Sequence, residues 1–229
     1  MHHNMIRLGG LFGILPLVQG LVVSFVFDLK LPSSNMSVAE LTNHFVHSNR
    51  AAYAVDLHTS VMFGVSVLIF YGVLRTAWNQ PGVKEQASIW GWLADAGIIL
   101  CAVFGMLTTI LWESFTLTYK SFEAFKVLPP DIGLALVLYS AGNWAISYST
   151  FIFGLAAISI AVIALKTGVI VKWIGWITMI VGVIAMIGYF NPNTFILMLL
   201  WYPILGLVML IAPGHIIPGR PSRQNVTGL

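Results

Sequence analysis

Apolar residues run along this chain in six long blocks separated by short polar stretches. Blocks of about 20 residues are what a helix needs to cross a bilayer core of ~30 Å. Segments of about ten residues with alternating polarity are missing, which disfavours a transmembrane β-barrel. The pattern predicts helical spans over residues 6–27, 50–78, 87–112, 132–165, 173–190 and 194–212. The first block is too long for a signal peptide, and Phe27-Asp28-Leu29-Lys30 is a poor cleavage site, so it reads as an uncleaved helix. The fourth block exceeds one crossing, which implies tilt or a start outside the hydrocarbon.

The breaks carry their own signals. In the connector 28–49, Ser37-Val-Ala-Glu40 has the spacing of a capping box, in which Ser and Glu each satisfy the other's free backbone amide. A short interfacial helix over 38–47 is predicted. Gln80-Pro81-Gly82, Lys166-Thr-Gly168 and Asn191-Pro192-Asn193 are turn signals. In the connector 113–131, Phe115, Tyr119, Phe122 and Phe125 recur at helical spacing with Lys120, Glu123 and Lys126 between them. That pattern predicts a second, amphipathic interfacial segment, closed by Pro129-Pro130. Gly9, Gly10, Gly13 and Gly20 thin one side of the first span, where a neighbouring helix can approach closely. Pro16 should bend that span.

Composition sharpens the class. Of 229 residues, 58% are hydrophobic and 8% charged, whereas soluble domains average about 25% charged. The predicted fold is therefore all-α: a six-transmembrane-helix bundle with two extracytoplasmic interfacial helical segments. Residues 1–212 form the membrane domain and 213–229 a flexible cytoplasmic tail. A net charge of +3 does not point to nucleic acid, because the basic residues stand singly at helix ends. Arg7, Arg75, Lys84, Lys166, Lys172, Arg220 and Arg223 fall on one side; Lys30, Arg50, Lys120 and Lys126 fall on the other. The excess places both termini in the cytoplasm of a cell-membrane protein. The single cysteine, Cys101, lies in an apolar run and reads as a small core residue.

Chemistry concentrates in the outer half. Asp56 and His58 lie six to eight residues into the second span, ~9–12 Å deep at ~1.5 Å per residue. An ionisable group in hydrocarbon costs roughly 2.5–3.5 kcal/mol on insertion scales, so such groups normally face a bundle interior or wet cavity. Gln19, Thr108, Thr109, Asn143, Trp144, Trp201 and Tyr202 reach similar depth, with Glu113 nearer the surface. Asp56 and His58 are about 200° apart around a helix and cannot both face one cavity. Asp56 has His58, Asn143 and Arg50 as candidate partners. Asp95, on the other side, has Lys166, Lys172 or a Ser or Thr as candidate partners, and is also a candidate inner station of a proton or ion path.

His44, His47 and His58, with Asp56 or Glu113, form an inventory of metal-ligand types, although interfacial histidines more simply face water. Haem is disfavoured because only His58 is clearly within a span. No phosphate loop, nucleophile elbow or zinc-protease helix occurs, and no cofactor is specified.

Arg7-Leu-Gly-Gly-Leu-Phe-Gly13, Phe153-Gly-Leu, Leu165-Lys-Thr-Gly168, Val171-Lys-Trp-Ile-Gly175 and Val181-Gly182 together resemble a bacterial family of six-helix membrane proteins known only as a domain of unknown function. Where that family often has a Pro before the fifth helix, this chain has Val171-Lys172. The resemblance implies a multi-pass membrane fold and no activity.

The leading expectation is thus a binding or accessory membrane protein rather than an enzyme. Asp56, His58, Asn143, Glu113, Gln19 and Tyr202 would line an outer-leaflet polar pocket for a lipid, a quinone-like or other apolar molecule, or a partner subunit or second copy. The alternative is a membrane enzyme or proton-coupled transporter using Asp56, His58 and Glu113.

Overall fold

A computed structural model describes residues 3–27, 36–47, 50–125 and 132–216. Within them the chain folds as seven α-helices: α1 (His3–Val26), α2 (Val38–His47), α3 (Arg50–Arg75), α4 (Lys84–Phe125), α5 (Ile132–Thr167), α6 (Lys172–Ile187) and α7 (Phe195–Ile211). The only β-type pairing among the described residues is an isolated bridge, Ile170 to Ile216. Four helical segments are long and apolar enough to cross a membrane: His3–Val26, Ala51–Arg75, Lys84–Glu113 and Gly133–Thr167. Helices α6 and α7 are apolar but have 16 and 17 residues.

Local signals in the sequence explain most boundaries. The Ser37 backbone N–H donates to Glu40 Oε2 at 2.7 Å, and the Glu40 N–H donates to Ser37 Oγ at 3.3 Å, so the capping box starts α2 as expected. Gly82 and Gly168 adopt φ of +82° and +67° in the turns before α4 and after α5, a conformation that costs glycine little. One boundary differs. The third span and the segment expected to lie at the interface form one continuous 42-residue helix, α4. Residues 106–125 contain neither Gly nor Pro, so nothing stops the helix at Trp112. The Pro129-Pro130 stop and most of the connector 28–35 lie outside the described residues. So does the tail from 217, but its first residues are ordered: Pro213–His215 form a 3-10 turn, Ile216 is buried, and the Val171 N–H donates to the His215 carbonyl at 3.1 Å.

The helices pack mainly as sequence neighbours: α1 on α3, α3 on α4, α4 on α5, and α5 on α6. Helix α7 returns to lie against α1. In lipid, association relies on close packing rather than on expulsion of water, so small residues matter at crossings. At α1–α7, a Cβ on Gly206 would sit 2.7 Å from the Gly10 carbonyl oxygen and 3.0 Å from Gly13 Cα. At α5–α6, a Cβ on Gly182 would sit 2.9 Å from the Gly154 carbonyl oxygen. The bundle centre is aromatic. Phe70, Phe153, Trp201 and Tyr202 meet with ring centroids 5.1–5.9 Å apart. Cys101 is buried beside it, its Sγ 3.4 Å from Ser149 Oγ, in the packing role expected.

Helix α2 is tied to α3 by His44 Nε2, 2.8 Å from Tyr53 Oη. Burial holds the His44 imidazole below its ordinary value of 6.5. The folded state therefore favours neutral His44. That contribution is present above pH 6.5 and is lost as pH falls through the depressed value. Glu40, held below 4.5 by the Ser37 backbone N–H and then the Ser37 hydroxyl, loses its cap at still lower pH. Protection of the 38–47 amides, measured relative to their intrinsic exchange rate at each pH, is expected to fall between about pH 7.5 and pH 5, and a His44→Phe variant should flatten that step.

Candidate functional site

The interface between α3 and α4 carries polar contacts along its length. At one end Glu113 is fully buried. Neither of its carboxylate oxygens has a well-formed hydrogen bond. The Asp56 carboxyl and the Leu57 backbone amide lie beside it, near enough to interact but poorly aligned. One turn further in, Ser60 Oγ donates to Thr109 Oγ1 at 2.9 Å. Near the other end, Tyr71 Oη donates to Asp95 Oδ1 at 2.6 Å, and Arg75 grips Asp95 twice, Nε to Oδ1 and Nη2 to Oδ2, both at 2.7 Å. Asp95 is thus paired with Arg75 and Tyr71, not with Lys166 or Lys172. Arg75 lies five helical turns beyond Asp56 on the same helix, whereas Lys166 sits over the Trp90 ring at 5.8 Å.

The sequence-predicted residues divide among separate places. Asp56 and Glu113 come together. His58 points away from them: it is exposed, its Nδ1–H donates to the Ala54 carbonyl at 2.6 Å, and it lines a shallow groove with Ala54, Val55, Thr59 and Met62. The half-turn separation of Asp56 and His58 gives this result. Arg50, a candidate partner of Asp56, has its side chain outside the described residues. Gln19 Oε1 is buried without a hydrogen-bond partner. Tyr202 Oη is likewise unpartnered in the aromatic centre, with the Cys101 thiol as a polar neighbour. His47 Nδ1–H donates to the Asn43 carbonyl at 3.1 Å. Among the described residues no three His, Cys, Asp or Glu side chains converge as a metal-binding group.

Asn143 opens onto a different feature, a cleft of about 410 Å³ between α4, α5 and the α6–α7 connection. Trp112, Tyr139, Trp144, Phe190 and Phe195 give it aromatic walls, and Ser140, Asn143 and Ser147 give it polar atoms. The Trp112 and Tyr139 rings stack at 29° with centroids 5.8 Å apart. Gly142 makes room for Trp112, because a Cβ at 142 would run into the indole edge. This volume and composition fit a small-molecule site, apolar with a few polar groups to orient the ligand. From the sequence, Asn143 was visible as an uncommon amide in a span. Trp144 was visible beside it, but the other aromatic walls were not: Trp112 read as an interfacial anchor, and nothing in the sequence marked Tyr139, Phe190 or Phe195.

The described residues are almost wholly helical, and four of the helices are long and apolar enough to cross a membrane, which suits a multi-pass membrane protein. The chain matches no family model, no curated protein and no solved structure.

Proposed function

We propose that this chain is a binding or accessory protein of the cell membrane, with α6 and α7 completing six crossings and both termini in the cytoplasm. The helix directions support that orientation: Arg7, Arg75, Lys84, Lys166 and Lys172 fall at one end of the bundle, against Arg50 and Lys120 at the other ends of α3 and α4. The bound molecule is apolar and ring-bearing, or a lipid, and it occupies the cleft beside Asn143. The observation that carries this reading is the pairing of aromatic walls with the Asn143 amide in a cleft of about 410 Å³. Native mass spectrometry of the chain purified from its own membrane tests it. Wild-type protein is expected to retain a small molecule. Asn143→Leu should lose it with little change in stability, and Gly142→Ala should lose it by displacing the Trp112 ring, each lowering occupancy about tenfold, the effect of ~1.4 kcal/mol. Equal retention by all three proteins, or none by the wild type, would overturn the reading.

One observation favours the second reading, a proton-coupled transporter or membrane enzyme. Buried Glu113 has the half-buried Asp56 carboxyl beside it, and no basic side chain among the described residues bonds to either. A buried like-charged pair is costly until a proton or cation joins it. His58 is exposed and turned away from these two carboxyl groups. This reading requires a pH-dependent activity that disappears in Glu113→Gln while the protein still folds. A fully active Glu113→Gln protein would sink it.

A further inference from the structure

The opposite end of the α3–α4 hairpin has a pocket of its own, independent of the Asn143 cleft. It holds about 290 Å³ and is lined by Arg75, Trp78, Asn79, Lys84, Ser88 and Trp92, together with Asp95. Three features converge there. First, Asp95 fixes the Arg75 guanidinium through two bonds, which occupy only part of its set of five N–H donors. Arg75 remains about half exposed, so the other donors stay available. Second, no ion pair or hydrogen bond of the Lys84 ammonium occurs among the described residues, and the lining holds two cations against one anion. Asn79 and Ser88 add neutral donors beside them. Third, the pocket sits where a membrane span begins, at Lys84, and Trp92 on its rim is 66% exposed. Exposed tryptophan at the end of a span is characteristic of the headgroup layer. Ile89 and Ile99, also exposed on α4, continue an apolar face from that level into the membrane.

We propose that this pocket binds the phosphate of an anionic phospholipid. Lys84 and the free N–H groups of Arg75 hold the phosphate, Asn79 and Ser88 donate to its oxygens or to the headgroup, and the acyl chains lie along the exposed face of α4. Arg75 offers a planar fork already aimed by Asp95, and Lys84 a mobile point charge that closes on the bound group. Basic pockets at the ends of transmembrane helices recognise acidic headgroups in this way.

The test is lipid titration of the delipidated full-length protein in detergent, followed by native mass spectrometry, with phosphatidylglycerol and phosphatidylcholine as probes. Phosphatidylglycerol is expected to bind about fivefold more tightly than phosphatidylcholine, the scale of one added basic side chain at a membrane surface. Lys84→Gln should bring the two lipids within twofold of each other, and Lys84→Arg should restore the preference. Lys172→Gln, at the same end but outside the pocket, should leave it intact. Lys84 and Lys172 are both exposed, so these variants keep the fold. The proposal fails if the two lipids bind alike or if Lys84→Gln keeps the full preference. It fails equally if millimolar inorganic phosphate displaces phosphatidylglycerol, which would make this a site for a soluble anion.

Discussion

Gly206→Ala is expected to lower the thermal midpoint of the detergent-solubilised protein by roughly 2–12 °C. The added methyl meets backbone, not side chains. It would lie 2.7 Å from the Gly10 carbonyl oxygen and 3.0 Å from Gly13 Cα, so no rotamer change relieves it. Helices α1 and α7 must part. Overpacking of this kind costs about 1–3 kcal/mol, and a domain of this size loses about 2–4 °C per kcal/mol. Separation also weakens the contact of α1 with α3, because α1 lies against both helices. Gly20→Ala, on the same helix, is the control. Nothing lies within 4 Å of its added Cβ, so it should be neutral or slightly stabilising. Tryptophan fluorescence on heating reads both variants, and equal shifts would refute the α1–α7 crossing.

Glu113→Gln is expected to act in the opposite direction and raise stability. Glu113 is wholly buried, its oxygens lack good hydrogen bonds, and its neighbour is a second carboxyl group. A glutamine amide removes one acid and can donate an N–H to Asp56. An unsatisfied buried polar group costs about 1–3 kcal/mol, so the midpoint should rise by several degrees. His58→Ala, at an exposed position, should stay within about 0.5 kcal/mol of wild type. Buried carboxyl groups that weaken a fold are retained at sites of function. A fall in stability for Glu113→Gln would instead mean that Glu113 has a partner holding the bundle together.

Much of the architecture was legible because lipid imposes simple rules. Block length marked the helices, the Ser37–Glu40 spacing marked the start of α2, and the glycine runs marked crossings. Gly13 meets Gly206, and Gly154 meets Gly182, so these glycines of the quoted motifs are contact points between helices, whereas Gly168 serves a turn. Where a turn signal was missing, the reading failed: the segment after Trp112 simply continues α4. The site was legible at the level of depth but not of azimuth. Equal depth put Asp56, His58, Asn143, Gln19 and Tyr202 in one layer. Which way each pointed depended on helix rotation, which tertiary packing sets. Only the two-residue offset of Asp56 and His58 carried angular information, and there the expectation of divergence held. The Arg75–Asp95–Tyr71 cluster was missed for a related reason. Arg75 was counted as a topology signal, although its position opposite Asp95 gives it a second role.

Asp56 and Glu113 face each other across the α3–α4 interface while His58 faces out. Short-reach cysteine cross-linking in a Cys101→Ser background measures this most directly. Asp56→Cys with Glu113→Cys is expected to bridge readily in native membranes, and His58→Cys with Glu113→Cys is expected not to. Bridging by the His58 pair in place of the Asp56 pair would contradict the account.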